Sequence, residues 1–231
     1  MTQTALIVAA SRGLGLGLVG EFERRGWSVI GTARDAAKAP ALKELADNSG
    51  GRVTVEAVDI ADKGEVEALR KRLDGETFDL VFVNAGLGGP QGKSPLSVSD
   101  EEFDTLFVTN SLAPVRVADL FIDRVRPKTG VIALMTSQLG SVEGASGGGY
   151  DLYRASKAAL NSFTRSFAAR HRDKGVTVLS LHPGWVKTDM GGPQAPLDVA
   201  TSVKGLADVV ERAQKDRRDG FFDYKGDTLP W

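Results

Sequence analysis

Tyr153 and Lys157 stand four residues apart at the start of a stretch with helical periodicity. Positions i and i+4 share a helix face, so the phenol and the ammonium are neighbours. A free tyrosine titrates near about 10 and is a poor base at neutral pH. An adjacent ammonium favours the phenolate and lowers that value. A phenol tuned in this way exchanges a proton with a carbonyl or alcohol oxygen. Tyr150 offers a rival pair, but its partner at four residues is Arg154. A planar, permanently charged guanidinium does not replace an ammonium. Tyr153 is therefore the expected acid/base, and Tyr150 a pocket wall.

Ser137, just past an apolar run, invites a second chemistry, nucleophilic attack with His182 as base. No Gly-x-Ser-x-Gly elbow surrounds it. His182 therefore reads as a strand-end residue beside Pro183, and His171 as a surface residue.

A third constellation lies near the N-terminus, Ala9-Ala10-Ser11-Arg12-Gly13-Leu14-Gly15. Glycine lets a turn approach a pyrophosphate while the N–H groups of the next helix face its charge. A Gly-x-Gly-x-x-Gly also occurs at Gly15, Gly17 and Gly20. Using it would end the strand on Ser11-Arg12-Gly13, which is not a buried strand sequence. Gly17 and Gly20 instead read as close packing of the helix on the sheet.

These residues need a frame. Apolar runs at 5–10, 28–33, 52–57, 78–83, 131–136, 176–181 and 221–224 read as strands. Helical patterns fall at 13–25, 41–48, 62–73, 100–126, 153–172 and 199–215, with Pro114 as a boundary or kink. Alternation of this kind predicts an α/β fold, a doubly wound parallel sheet of seven strands with helices on both faces. Ligands then bind past the carboxyl ends of the strands. Of 27 glycines, 15 fall within 13–17, 86–92, 140–149 and 184–192, each just past such an end. The segments 86–97, 141–152 and 190–197 are expected to shape a substrate pocket.

Composition narrows the classes. At roughly 150 residues per domain, 231 residues make one domain, without a separate substrate domain. A formal charge of −1 argues against a nucleic-acid binder. With no cysteine and two histidines, a metal site is not expected. No spanning or leader segment fits, so the expectation is a cytoplasmic protein without membrane partners.

Taken in order, the motifs resemble the short-chain dehydrogenase/reductase family. Gly13 and Gly15 fit its Thr-Gly-x-x-x-Gly-x-Gly loop, while Val8-Ala9 replaces Thr-Gly. Asp59-Ile60 stands where the family places an adenine contact. Asn84-Ala85-Gly86 resembles its Asn-Ala-Gly, and Asn110 occupies the place of its catalytic asparagine. Ser137-Gln138-Leu139-Gly140 resembles Ser-x-x-Gly, Tyr153 to Lys157 fits Tyr-x-x-x-Lys, and Pro183-Gly184 is followed by Thr188. The ending 220–231 and the segment 182–190 resemble C-factor-like members, some discussed as signalling proteins.

The resemblance implies one Rossmann-like oxidoreductase domain over 1–231 that moves hydride between a nicotinamide and a carbonyl or alcohol substrate. In that scheme Tyr153 is the acid/base, and Lys157 lowers its pKa and holds the ribose. Ser137 orients the carbonyl, and Asn110 orders a water in a proton relay. Implied cofactor contacts are Ala10, Ser11, Arg12, Gly13 and Leu14, then Asp59 and Ile60, then Asn84, Ala85 and Gly86. Tyr153, Lys157, Pro183, Gly184, Val186 and Thr188 complete the set. The alternative is a nucleotide-binding sensor with little turnover.

The second strand ends Thr32-Ala33-Arg34-Asp35. NAD sites use an acid here, whereas arginine accommodates a 2′-phosphate. Ala33 and Arg34, with Arg12 nearby, favour NADP(H) over NAD. Asp35 reads as a cap of the next helix. Ala155, Ala158, Ala159, Leu160, Phe163, Phe167 and Ala168 spread beyond one stripe, the pattern of a helix covered by a second partner, and the family resemblance implies a homodimer or homotetramer. The aromatic tail reads as a docked seventh strand.

Overall fold

Alternation within the apolar runs decides the architecture, because successive strand residues point to opposite faces. Ala5 and Ile7 enter one core; Leu6 and Val8 enter the other. Leu80 and Phe82 divide from Val81 and Val83 in the same way. Strands apolar on both faces must be covered twice, as in parallel sheets.

The computed structural model describes residues 2–145 and 147–231. Met1 and Ser146, the latter inside the expected pocket segment 141–152, lie outside the described residues. Among the described residues the strands are β1 (Thr4–Val8), β2 (Ser28–Ala33), β3 (Val53–Ala57), β4 (Leu80–Val83), β5 (Val131–Met135), β6 (Thr177–His182) and β7 (Gly220–Asp223). They form one parallel sheet in the order β3-β2-β1-β4-β5-β6-β7. The order reverses between β1 and β4, so a crevice opens there.

The helices are α1 (Gly13–Arg24), α2 (Pro40–Asn48), α3 (Lys63–Arg72), α4 (Asp100–Phe107), α5 (Ala113–Phe121), α6 (Asp151–Arg170) and α7 (Val199–Asp216). Leu18 and Phe22 of α1, Leu42 of α2 and Leu206 of α7 cover one face. Val66 and Leu69 of α3, Phe121 of α5, and Leu160 and Phe167 of α6 cover the other. Truncating a buried phenylalanine such as Phe22 would cost about 3–5 kcal/mol.

Several local expectations change. The long pattern at 100–126 is two helices joined by a π-helical turn, Val108–Leu112, with Pro114 in the first turn of α5. Its run Asp100–Arg124 is long and apolar enough to cross a membrane by length and composition, contrary to the sequence expectation. Half of its apolar window is buried inside the protein, as in a core helix. Gly17 and Gly20 do pack closely, but against helices rather than the sheet. A Cβ on Gly17 would lie 2.7 Å from Val199 of α7, and one on Gly20 3.3 Å from Leu45 of α2. His171 is more than a surface residue. It closes α6, rests on Phe167 and reaches Asp119 of α5 at 2.8 Å. The tail docks as expected: Leu229 N–H donates to Phe221, and Val142 N–H donates to the Trp231 carbonyl at 2.7 Å.

Candidate active site

The turn after β1 is built around Ala9 and Gly15. A Cβ on Gly15 would sit 2.2 Å from the Ala9 carbonyl oxygen, so only glycine fits. Gly13 adopts φ 55°. Arg12 precedes α1 with no side-chain cap, and the first turn carries no acid. The opening N–H groups of α1 therefore face outward with the positive end of the helix dipole, which suits a phosphate. Ala10 is buried and ties to Thr32 through its N–H. Leu14 packs against the core, and Ser11 remains at the turn surface.

Beside this cradle, β2 is followed by Arg34 and Asp35. Asp35 accepts from Ala37 N–H at 3.0 Å and pairs with Lys38 at 3.2 Å, so it caps the following turn as the sequence suggested. Arg34 is exposed and makes no ion pair among the described residues. Asp59 and Ile60 follow β3 at the neighbouring strand end, where Asp59 accepts from Ala61 N–H at 2.9 Å. Asn84, past β4, donates to the Ala9 carbonyl and locks two strand ends together.

Asn110 is fully buried in the π turn, an insertion frequent at functional sites. Its Oδ1 accepts from Leu87 N–H at 2.7 Å. Its Nδ2 donates to the Leu87 carbonyl at 2.8 Å and to Ser156 Oγ at 3.0 Å. Both amide hydrogens are used, leaving one lone pair on Oδ1 for a further partner. Asn110 thus clamps the loop carrying Ala85 and Gly86 onto α6. A Cβ on Gly86 would stand 3.2 Å from Lys157 Nζ and 3.7 Å from Asn110 Oδ1.

The turn Gln138–Gly140 brings Ser137 to α6. A Cβ on Gly140 would lie 2.8 Å from the Lys157 backbone, so glycine sets how closely the turn approaches. Ser137 Oγ accepts from Leu139 N–H at 3.1 Å and faces the Tyr153 phenol. Lys157 Nζ lies 5.9 Å from the Tyr153 ring centroid and donates to the Met135 carbonyl at 3.0 Å. Ser156 Oγ donates to the Tyr153 carbonyl at 2.7 Å, linking that residue to Asn110.

The electrostatics reverse one expectation. Burial raises the Tyr153 phenol above its ordinary value, and the Ser137 hydroxyl only partly opposes this. Burial also pushes Lys157 down to about 8. Desolvation disfavours both charged forms, and here it outweighs the attraction inferred from spacing alone. His182 is likewise pushed down to about 4 by burial, although Asp223 pulls it upward. Its Nδ1 has no partner among the described residues, and Ser137 is engaged elsewhere. No serine–histidine pair forms there.

The loop after β6 closes the edge. Pro183 accepts from Ser202 of α7 at 2.7 Å, and Gly184 adopts φ 85° beside Leu197 and Tyr224. Val186 is buried. A Cβ on Gly13 would lie 3.6 Å from Thr188, so this loop abuts the phosphate turn. Leu87, Tyr150, Trp185 and Met190 remain exposed. A Cβ on Gly88 would be 3.6 Å from Met190, and one on Gly89 3.9 Å from Tyr153. Leu87, Ser156 and Asp189, which pairs with Arg12, escaped the sequence reading. Each fell inside a stretch the sequence singled out, 86–97, Tyr-x-x-x-Lys and 182–190, but with no role of its own.

A model of the short chain dehydrogenase family matches residues 3–196. C-signal of Myxococcus xanthus is 36% identical over 157 residues, 66% of this chain and 92% of that protein. A short-chain dehydrogenase/reductase of Burkholderia multivorans with bound NADP is 41% identical, with both chains covered at 100% and a TM-score of 0.95. A carbonyl reductase of Pseudomonas aeruginosa in complex with NADP is 39% identical at 100% coverage of both chains, TM-score 0.93. Because the family match takes in every strand from β1 to β6, this chain belongs to the short-chain dehydrogenase family.

Proposed function

We propose that the chain is an NADP(H)-dependent carbonyl reductase acting on a small-molecule carbonyl or, in reverse, an alcohol. The observation that carries this reading is the Tyr153 phenol facing Ser137, with Lys157 beside its ring, on the edge that holds the phosphate cradle. The cradle and the uncommitted Arg34 fit a dinucleotide bearing a 2′-phosphate. The NADP found in the Burkholderia and Pseudomonas structures supports the same choice.

The bound nicotinamide supplies hydride to the carbonyl carbon. Ser137 donates a hydrogen bond to the carbonyl oxygen, and Tyr153 gives that oxygen its phenolic proton. Burial keeps the resting phenol neutral, so it holds the proton that the reductive direction consumes. The Lys157 ammonium stabilises the phenolate left behind and, with Tyr153, holds the ribose. Asn110 keeps its loop in place and offers its remaining lone pair to a water that returns the proton.

The test is NADPH oxidation with a panel of aldehydes and ketones. Tyr153→Phe should lower kcat by about 100-fold or more while NADPH still binds. A second reading, nucleotide binding with little turnover, is favoured by the likeness to C-signal. Tight NADPH binding without turnover of any carbonyl would select it.

A further inference from the structure

We propose that Asp189 is a cofactor-selecting residue whose carboxylate competes with the 2′-phosphate of NADP(H) for Arg12. The inference rests on the reading of the chain as an NADP(H) enzyme.

Arg12 Nη1 lies 2.5 Å from Asp189 Oδ2, across 177 residues of sequence. Both side chains are 76% exposed, so solvent and a ligand reach the pair freely. The acid is held in place rather than dangling. Gly192 N–H donates to the Thr188 carbonyl at 2.8 Å, and Gly191 N–H donates to Thr188 Oγ1 at 3.1 Å. Trp185 Nε1 donates to Gly191 at 2.8 Å, while Val186 and Ala195 anchor the loop in the protein. Thr188 rests near Gly13, and Asp189 beside it reaches Arg12 at the start of α1.

The two arginines of the cradle are thus unequal. Asp35 is taken by Lys38 and by Ala37 N–H, which leaves Arg34 without an ion pair among the described residues. Arg12 is committed to Asp189. A phosphate carries more charge than a carboxylate and forks onto a guanidinium, so a 2′-phosphate would draw Arg12 away. NADH has no 2′-phosphate and leaves the pair intact. Exposed ion pairs are weak, so the exchange should reduce NADPH affinity by about two- to fivefold. Asp189 therefore trims the preference for NADPH over NADH without touching either nicotinamide.

Tryptophan fluorescence titrations of the full chain with NADPH and NADH test this in wild type, Asp189→Asn, Arg12→Met and the double variant. Asp189→Asn should tighten NADPH about two- to fivefold and leave NADH unchanged. The gain should vanish in the Arg12→Met background. Equal weakening of both nucleotides would overturn the proposal and mark the pair as a strap closing over either cofactor. An unchanged NADPH affinity, or a gain that persists without Arg12, would overturn it too. If wild type binds NADH as tightly as NADPH, the cofactor reading itself falls, a result the variants do not produce.

Discussion

Asn84 donates a hydrogen bond of 3.1 Å to the carbonyl of Ala9, and Ala9 holds it there with a left-handed φ of 64°. Alanine in that region costs about 1–2 kcal/mol. The family loop has glycine at this position, so the strain belongs to this chain. Ala9→Gly should remove it, less the entropy that glycine adds to the unfolded chain. The expected net gain is up to about 1 kcal/mol, read by urea unfolding. Gly15→Ala should instead abolish NADPH binding, because its methyl would meet the Ala9 carbonyl. A loss of stability in Ala9→Gly would show that the left-handed turn is not strained.

Arg34 stands exposed at the end of β2 while Asp35 is occupied as a cap. Arg34→Asp should raise the NADPH Michaelis constant about 10-fold or more. The NADH value should stay within about twofold. Steady-state kinetics with both cofactors would separate the two, and equal effects would remove Arg34 from the phosphate site.

Lys157 titrates near 8 in the fold against its ordinary 10.5, because burial disfavours the ammonium. Between those values the unfolded chain binds more protons, so stability rises as pH increases through this window. Thermal unfolding of the cofactor-free protein should show wild type gaining on the order of 2–3 kcal/mol relative to Lys157→Met from pH 7.5 to 10.5. Parallel curves would mean the buried ammonium is compensated.

His182 is held neutral by burial, with its folded value near 4 against 6.5. Below pH 6.5 the unfolded chain takes up a proton that the fold refuses, so stability falls as pH drops toward 4. His182→Gln should flatten the fall between pH 6.5 and 4.5, a difference on the order of 2–3 kcal/mol. Chemical denaturation at each pH measures it, and an unchanged slope would assign the acid sensitivity to other groups.

Phe163 is 43% exposed on the outer face of α6, about two turns past the exposed Ala155. A second copy of the chain would cover this face. Sedimentation at micromolar concentration should give a particle larger than 24.5 kDa, and Phe163→Glu should shift it toward the monomer. A wild-type monomer would refute the assembly.

The central strands β4 and β5 were legible because two-sided burial leaves short, wholly apolar runs, and the pairing of Tyr153 with Lys157 because i and i+4 meet on any helix. The single-domain α/β class, the turn at Gly13 and Gly15 and the capping role of Asp35 followed from equally local patterns. Local spacing carries no information about solvent, however. Only the packed α6 shows that Tyr153 rises and Lys157 falls, since desolvation depends on everything folded around a group. The helix partners of Gly17 and Gly20, the clamp of Asn110 on Leu87 and Ser156, and the reach of Arg12 to Asp189 are likewise tertiary. Each joins residues that the chain keeps apart: the helix partners meet on one face of the sheet, while the clamp and the Arg12 pair form at the loops past the strand ends.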